Sequence, residues 1–217
     1  MNPPPQLVLL RHGLSVWNRD NRFTGWVDVP LSAEGINEAL LAGEEIASIS
    51  FNRLFTSQLI RAQMTLALAM QAQGKALIFE EESIHHQAPR DSYLPVITSS
   101  ALNERNYGDL QGKNKQKASQ EYGHEAIQRW RRHYEAIPPR GESLEMTVAR
   151  VLPYFEGEIL PYLDRGERIL ITAHGNSLRA LIMTLEGLSP EEIVHREVPT
   201  GKPLFYSLGG SQWQLHN

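Results

Sequence analysis

Residues 7–13 read LVLLRHG and residues 169–175 read ILITAHG. Each is a short apolar run that ends in a histidine followed by a glycine. Runs of this length and composition are buried strands of a parallel sheet. Side chains at the carboxyl ends of such strands face a shared crevice, which is where open α/β sheets bind ligands. The two runs therefore predict that His12 and His174 meet at one site.

Around them the pattern alternates between short apolar runs and helical periodicities, as in βαβ units. Ser32 is placed to cap a helix with Ile36, Leu40, Gly43 and Ala47 on its face, and residues 53–56 form the next strand. Ser57 is read as the cap of a second helix, with Ile60, Met64, Ala67 and Gln71 at successive turns, Arg61 in its first turn and a stop at Gly74. Residues 76–79 read as a third strand. The pattern then lapses over residues 80–101 into an acidic trio, two adjacent histidines and turn formers, and reads as a surface excursion that could cover a site. Residues 114–135 are helical with a break at Gly123, and a stiff connector precedes Ser143, where a helix restarts. That helix carries Leu144, Val148, Val151, Phe155 and Ile159 on one face and should bend at Pro153. A helix ending near Gly187 and a capping box at Ser189-Pro190-Glu191-Glu192 follow the second His-Gly. Residues 204–208 and 212–215 flank a Gly-Gly-Ser turn and form a closing hairpin. The expected architecture is a three-layer α/β/α domain over residues 1–217, with a mostly parallel sheet and an antiparallel edge strand.

A chain of 217 residues can bury one full core. It has no cysteine, which excludes disulfides and thiolate chemistry. No apolar stretch approaches the roughly 20 residues of a membrane span, and the N-terminus lacks the pattern of a signal peptide. A cytoplasmic protein without a membrane partner is expected. The net charge of −4 gives no overall footprint for nucleic acid. Arg11, Arg61, Lys115, Arg131 and Arg132 nevertheless stand at or near element ends, and together they would make a focused anion trap. His85 and His86 are adjacent, diverge in direction and lack a third ligand at useful spacing, so no metal site is read there. Trp17, Trp26 and Trp130 are read as packing residues.

A histidine at a strand end beside an arginine and a glycine suits phosphate. Gly13 would let backbone approach the ligand, and the turn beyond offers N–H groups to an anion. A histidine that attacks phosphorus must be neutral, and neighbouring guanidinium groups disfavour its charged form. A phosphoryl group in transfer is stabilised mainly by positioned cations and donors, a role open to the arginines and to His174.

The string LVLLRHGLSVWNRDNRFTGWVDVPLSAEG resembles the cofactor-dependent phosphoglycerate mutases of the histidine phosphatase superfamily. So do TSQLIRAQMT, LNERNYGDLQGKNK, WRRHYE, PPRGESL, AHGNSLR and VPTGKPLFY, in the family's order. The resemblance implies that His12 is the phosphorylated nucleophile, Glu104 the general acid/base and His174 the group that steadies the phosphoryl in transit. It implies that Arg11, Asn18, Arg61, Gly175 and Asn176 bind that phosphoryl group and that Ser15, Thr24 and Gly25 line its pocket. Tyr107, Lys115, Arg131 and Arg132 would hold the substrate's carboxylate and second phosphate. The implied activity is interconversion of 3-phosphoglycerate and 2-phosphoglycerate, primed by 2,3-bisphosphoglycerate and needing no metal, in a monomer or small homo-oligomer. The alternatives are a histidine phosphatase acting on small phosphoesters or bisphosphoglycerate, and a silent binding protein, which would be expected to lack His12, Glu104 or His174. The chain is shorter than many family members over residues 134–141 and lacks their longer tail, which helps cover the site. The segment over residues 83–100 is longer and could substitute for it.

Overall fold

The structure, a computed structural model, describes residues 6–80, 93–209 and 212–216. Its centre is a seven-stranded sheet in the order β3-β4-β2-β5-β1-β6-β7. These strands are β1 (Leu7–Arg11), β2 (Arg53–Thr56), β3 (Ala76–Glu80), β4 (Tyr93–Thr98), β5 (Ile169–Ala173), β6 (Pro203–Gly209) and β7 (Gln212–His216). The first five in that order run parallel, β6 pairs antiparallel with β1, and β7 closes the edge antiparallel to β6. Helices lie on both faces, so the α/β/α expectation holds.

The alternation of side chains along β1 explains the layers. Leu7 and Leu9 pack with residues of α6 (Leu144–Tyr154) and α8 (Gly175–Glu186). Val8 and Leu10 pack against α2 (Ala33–Ile46) and α3 (Ile60–Met70) on the opposite face. All four are fully buried. A one-residue slip would exchange the two sets, and each buried aliphatic side chain contributes roughly 1.5–3 kcal/mol. The register Leu7↔Ile169 through Arg11↔Ala173 is thereby fixed.

Several expectations are corrected. The segment read as an excursion contains β4, which lies between β3 and β2. Pro95 disguises it, because proline inside an apolar run argues against a central strand. The β2 ladder begins only at Leu54↔Val96, one residue past the missing N–H. His85 and His86 lie outside the described residues, as do Gly210 and Ser211 of the closing turn.

The buried faces of α2 and α3 are also rotated from those expected. In α2 the buried residues are Gly35, Ala39, Ala42, Gly43 and Ile46, while Leu40 is exposed. In α3 they are Arg61, Ala62, Thr65, Leu66, Ala69 and Met70, while Ile60 is exposed. Close approach selects small residues here: a Cβ on Gly43 would lie 2.5 Å from the Ala69 carbonyl oxygen. Gly13 is explained the same way. A Cβ there would meet the Gly35 carbonyl oxygen at 2.2 Å, so this glycine admits the first turn of α2, not a ligand. Pro153 does not end its helix. The chain passes through a π turn at Phe155–Ile159 into α7 (Leu160–Asp164).

Helix α1 (Val16–Arg19) follows β1. The helices α4 (Lys115–Tyr122) and α5 (His124–Arg132) are separated by Gly123 as expected and share a small core with Phe23 and Leu110. Helix α9 (Pro190–Ile193) begins with the predicted capping box at Ser189. Among the described residues no helix is long and apolar enough to cross a membrane.

Candidate active site

Because β1 and β5 end in register, His12 and His174 emerge side by side. The His12 N–H donates to the Ala173 carbonyl at 2.9 Å, and the two imidazole centroids are 5.0 Å apart. His12 Nδ1–H donates to the Gly13 carbonyl at 2.7 Å. That bond fixes the tautomer and leaves the Nε2 lone pair without a partner among the described residues. Burial, then the charges of Arg61 and Arg11, hold His12 well below the usual imidazole range, against the opposing pull of the Gly13 carbonyl. His174 is held neutral by burial, then by Arg61, His12 and Arg11. Ser57 Oγ accepts from the Leu59 N–H at 3.2 Å and shares a hydrogen bond with His174 Nε2 at 2.7 Å. Ser57 is therefore not the cap of α3. The Ile60 N–H donates instead to Asp28 Oδ1.

Glu104 follows β4 and a 3₁₀ turn at Ser100–Leu102. One carboxylate oxygen, Oε1, accepts from the backbone N–H groups of Arg105 (2.8 Å) and Asn176 (3.0 Å) and from Asn176 Nδ2 (2.9 Å). No described residue bonds Oε2. Burial pushes the Glu104 pKa up, but the Arg105 N–H, the charge of Arg11, Asn176 and Arg61 outweigh it and keep the carboxyl below its usual range. The loop that carries it is held by Arg150 of α6. Its guanidinium donates to the carbonyls of Ala101, Asn103 and Glu104 while pairing with Glu142.

Arg61 is almost wholly buried and donates to the carbonyls of Gly25 (2.7 Å) and Val27 (3.1 Å). Burial draws its pKa down to about 10, against the attraction of Glu104 and Asp28. Gly25, at φ +55°, permits the turn it clasps. Arg11 Nη1 donates to the Val198 carbonyl at 2.7 Å. Among the described residues, Arg11 Nε, Arg61 Nε and Thr24 Oγ1 are buried with no hydrogen-bond partner, as are Arg105 Nε, Thr172 Oγ1 and His174 Nδ1 outside the cleft wall. Buried donors of this kind have a cost unless something accepts from them, and Arg11, Arg61 and Thr24 all line one cleft of about 210 Å³.

The cleft gathers most of the expected residues: Arg11, His12, Asn18, Thr24, Gly25, Arg61, Glu104, Tyr107, Lys115, Arg131, Arg132, Gly175 and Asn176. Two are not in its wall. Ser15 is fully buried, and its hydroxyl accepts from the Asn18 N–H while donating to Asn18 Oδ1, so it orients Asn18. His174 stands behind His12. Arg131 and Arg132 point in different directions along α5, yet as its last two residues both reach the cleft. Burial and the charge of Arg131 lower the Lys115 pKa, against the pull of Tyr107.

The residue reading missed Arg22, Phe23, Arg179 and Glu197 in the wall, and Ser57 and Arg150 behind it. Arg22, Phe23, Ser57 and Arg179 lie inside the motif strings, which is the one signal that marks them. Arg150 and Glu197 carried no local signal. In all, seven arginines and lysines face two carboxylates across the wall, an arrangement suited to a small polyanion.

Comparison with known proteins agrees with this geometry. The histidine phosphatase superfamily (branch 1) matches residues 7–217. A 2,3-bisphosphoglycerate-dependent phosphoglycerate mutase of Chlamydia trachomatis is 50% identical over 97% of this chain and 96% of its own. The protein of the same name from Chlamydia muridarum is 51% identical over 92% of each chain. The chain belongs to this mutase family of the histidine phosphatase superfamily. Among solved structures, the α-ribazole phosphatase from Shigella flexneri matches with a TM-score of 0.75 and 26% identity, over 97% of this chain and 94% of the other. A mycobacterial hydrolase matches in fold with a TM-score of 0.79 at 22% identity, over 98% and 97%. The fold is thus shared with phosphatases, while sequence likeness at the 50% level points to mutases.

Proposed function

We propose that this mutase-family protein interconverts 3-phosphoglycerate and 2-phosphoglycerate through a phosphohistidine at His12 Nε2, as part of glycolysis and gluconeogenesis in the cytoplasm. The observation that carries the reading is a buried, neutral imidazole with one nitrogen free, at the floor of a seven-cation cleft that holds unpartnered Arg11 and Arg61 donors. These donors fit the phosphate groups of 2,3-bisphosphoglycerate, which supplies the first phosphoryl group to His12.

From the phosphorylated state, Glu104 accepts the proton of the substrate's free hydroxyl as that oxygen attacks phosphorus. The N–P bond breaks and its electron pair returns to His12 Nε2. The bisphosphate so formed turns or rebinds, and His12 then attacks the other phosphorus. Glu104 returns its proton to the departing oxygen, so the cycle closes without net gain of protons. A carboxyl held in its ionised form, as Glu104 is, suits the first of these steps. Arg11, Arg61, Asn18, Gly175 and Asn176 bind the moving phosphoryl group, Thr24 and Gly25 line its pocket, and His174 steadies it. Tyr107, Lys115, Arg131 and Arg132 hold the substrate's carboxylate and second phosphate. The charge in flight is met by guanidinium groups and imidazoles, so no metal is assigned to the reaction.

The test is a coupled assay of 3-phosphoglycerate conversion, with and without 2,3-bisphosphoglycerate and with EDTA, while phosphate release is followed. Bisphosphate-stimulated, EDTA-insensitive conversion with little free phosphate is expected. Phosphate release without isomerisation would make the protein a phosphatase.

A further inference from the structure

Two carboxylates line the cleft, and only Glu104 is built into it. Glu197 is held by neither backbone nor burial: its side chain is 70% exposed. Its Oε1 lies 3.1 Å from Arg132 Nη1, and its Oε2 lies 3.9 Å from Arg179 Nη2. The backbone on either side is fixed. Arg196 is clamped by two hydrogen bonds to Glu186, and its carbonyl accepts from Arg179 Nε at 2.8 Å. Val198 is buried, and its carbonyl accepts from Arg11. Arg179 thus needs no help from Glu197 to keep its place. What remains free is one side chain, hung on a rigid segment between two cations of an anion-binding cleft.

We propose that Glu197 is a resident anion of the rim, occupying Arg132 and Arg179 until a ligand's own distal anionic group displaces it, and so selecting against the most highly charged ligands. The identity of those ligands rests on the phosphoglycerate reading; the competition itself does not. The pair with Arg132 is exposed on both sides, and such pairs are weak, so it yields readily to a ligand. Once displaced, the carboxylate still stands near the incoming anion and repels it. The phosphoryl end of the cleft, at His12 and Arg61, is not paired with it. Glu197 therefore shortens the retention of a multiply charged ligand without weakening capture of a single phosphate group.

The experiment is calorimetric titration of the unphosphorylated wild type, E197Q and E197D with inorganic phosphate, 3-phosphoglycerate and citrate, the last a trianion without a transferable group. E197Q should bind 3-phosphoglycerate and citrate about three- to tenfold more tightly, with inorganic phosphate within about twofold of the wild type. E197D, which keeps the charge, should stay within about twofold for all three. Unchanged or weaker binding of the trianions to E197Q would make Glu197 a brace and overturn the proposal, as would equal tightening of inorganic phosphate. The two readings part in the coupled assay. If E197Q tightens citrate but the wild type never converts 3-phosphoglycerate, the mutase function fails and the role of Glu197 stands.

Discussion

The floor of the cleft and its rim are held in different ways. At the floor, His12 is tied to Gly13, His174 to Ser57, Glu104 to three N–H donors and Arg61 to two carbonyls, and none of these residues is more than 8% exposed. At the rim, neither Lys115 Nζ nor the Arg131 guanidinium donates to any described residue. Arg132, at 40% exposure, leans on Glu197. Groups that stabilise charge in transit act best when fixed beforehand, since nothing must then reorganise. Groups that catch and release a polyanion can leave their bonds to the ligand. The contrast predicts that changes at the floor lower kcat and changes at the rim raise KM.

The largest effect is expected at His12. Replacement by alanine should reduce conversion by about 10⁴-fold or more and abolish acid-labile phosphate incorporation from 2,3-bisphosphoglycerate. Undiminished labelling would place the nucleophile elsewhere. Next comes the rim. Joint replacement of Arg131 and Arg132 by alanine should raise the KM for 3-phosphoglycerate by about 10²-fold, at about tenfold per lost charge-assisted contact, with kcat within about threefold. A kcat that falls as far as KM rises would join the rim to the chemistry and dissolve the comparison. Unchanged kinetics would leave that end of α5 a solvated surface.

The floor was the more legible of the two regions, for a physical reason. Strand ends are set by buried apolar runs, so the LVLLRHG and ILITAHG segments are enough to bring His12 and His174 together. Helix ends were legible where a side chain caps them, as at Ser32, Ser143 and Ser189. Ser57 misled because a serine before a helix has two possible partners, and here it bonds the histidine from the neighbouring strand. The face of α2 was read correctly at Gly43 but otherwise misread, because apolar periodicity ranks side chains by size, whereas the close approach at Gly35 admits only a residue with none. Pro95 hid β4. Glu197 could not be read at all. Its meaning depends on Arg132 and Arg179, which come from two other helices and meet it only in the fold.

The smallest effect separates floor from rim by pH. His12 and His174 are neutral in the folded protein well below the ordinary imidazole value near 6.5. Above about pH 6.5 folded and unfolded chains are alike in this respect, and stability is full. As pH falls further, the unfolded chain takes up protons that the folded one refuses. Stability should then drop by about 1.4 kcal/mol per pH unit for each such histidine, until the folded value is reached. Glu104 has the same sign in a lower window. Its depressed pKa contributes above the carboxylate range and is lost only as pH falls through it. Urea unfolding of the wild type and His12→Asn between pH 7.5 and 5.5 isolates the share of His12. The variant should lose stability more slowly below about pH 6.5, by about 1.4 kcal/mol per unit. Parallel curves would mean that His12 takes up a proton in the folded state as freely as in the unfolded one. The floor would then be as open to water as the rim, and a neutral nucleophile would need another cause than burial beside Arg61 and Arg11.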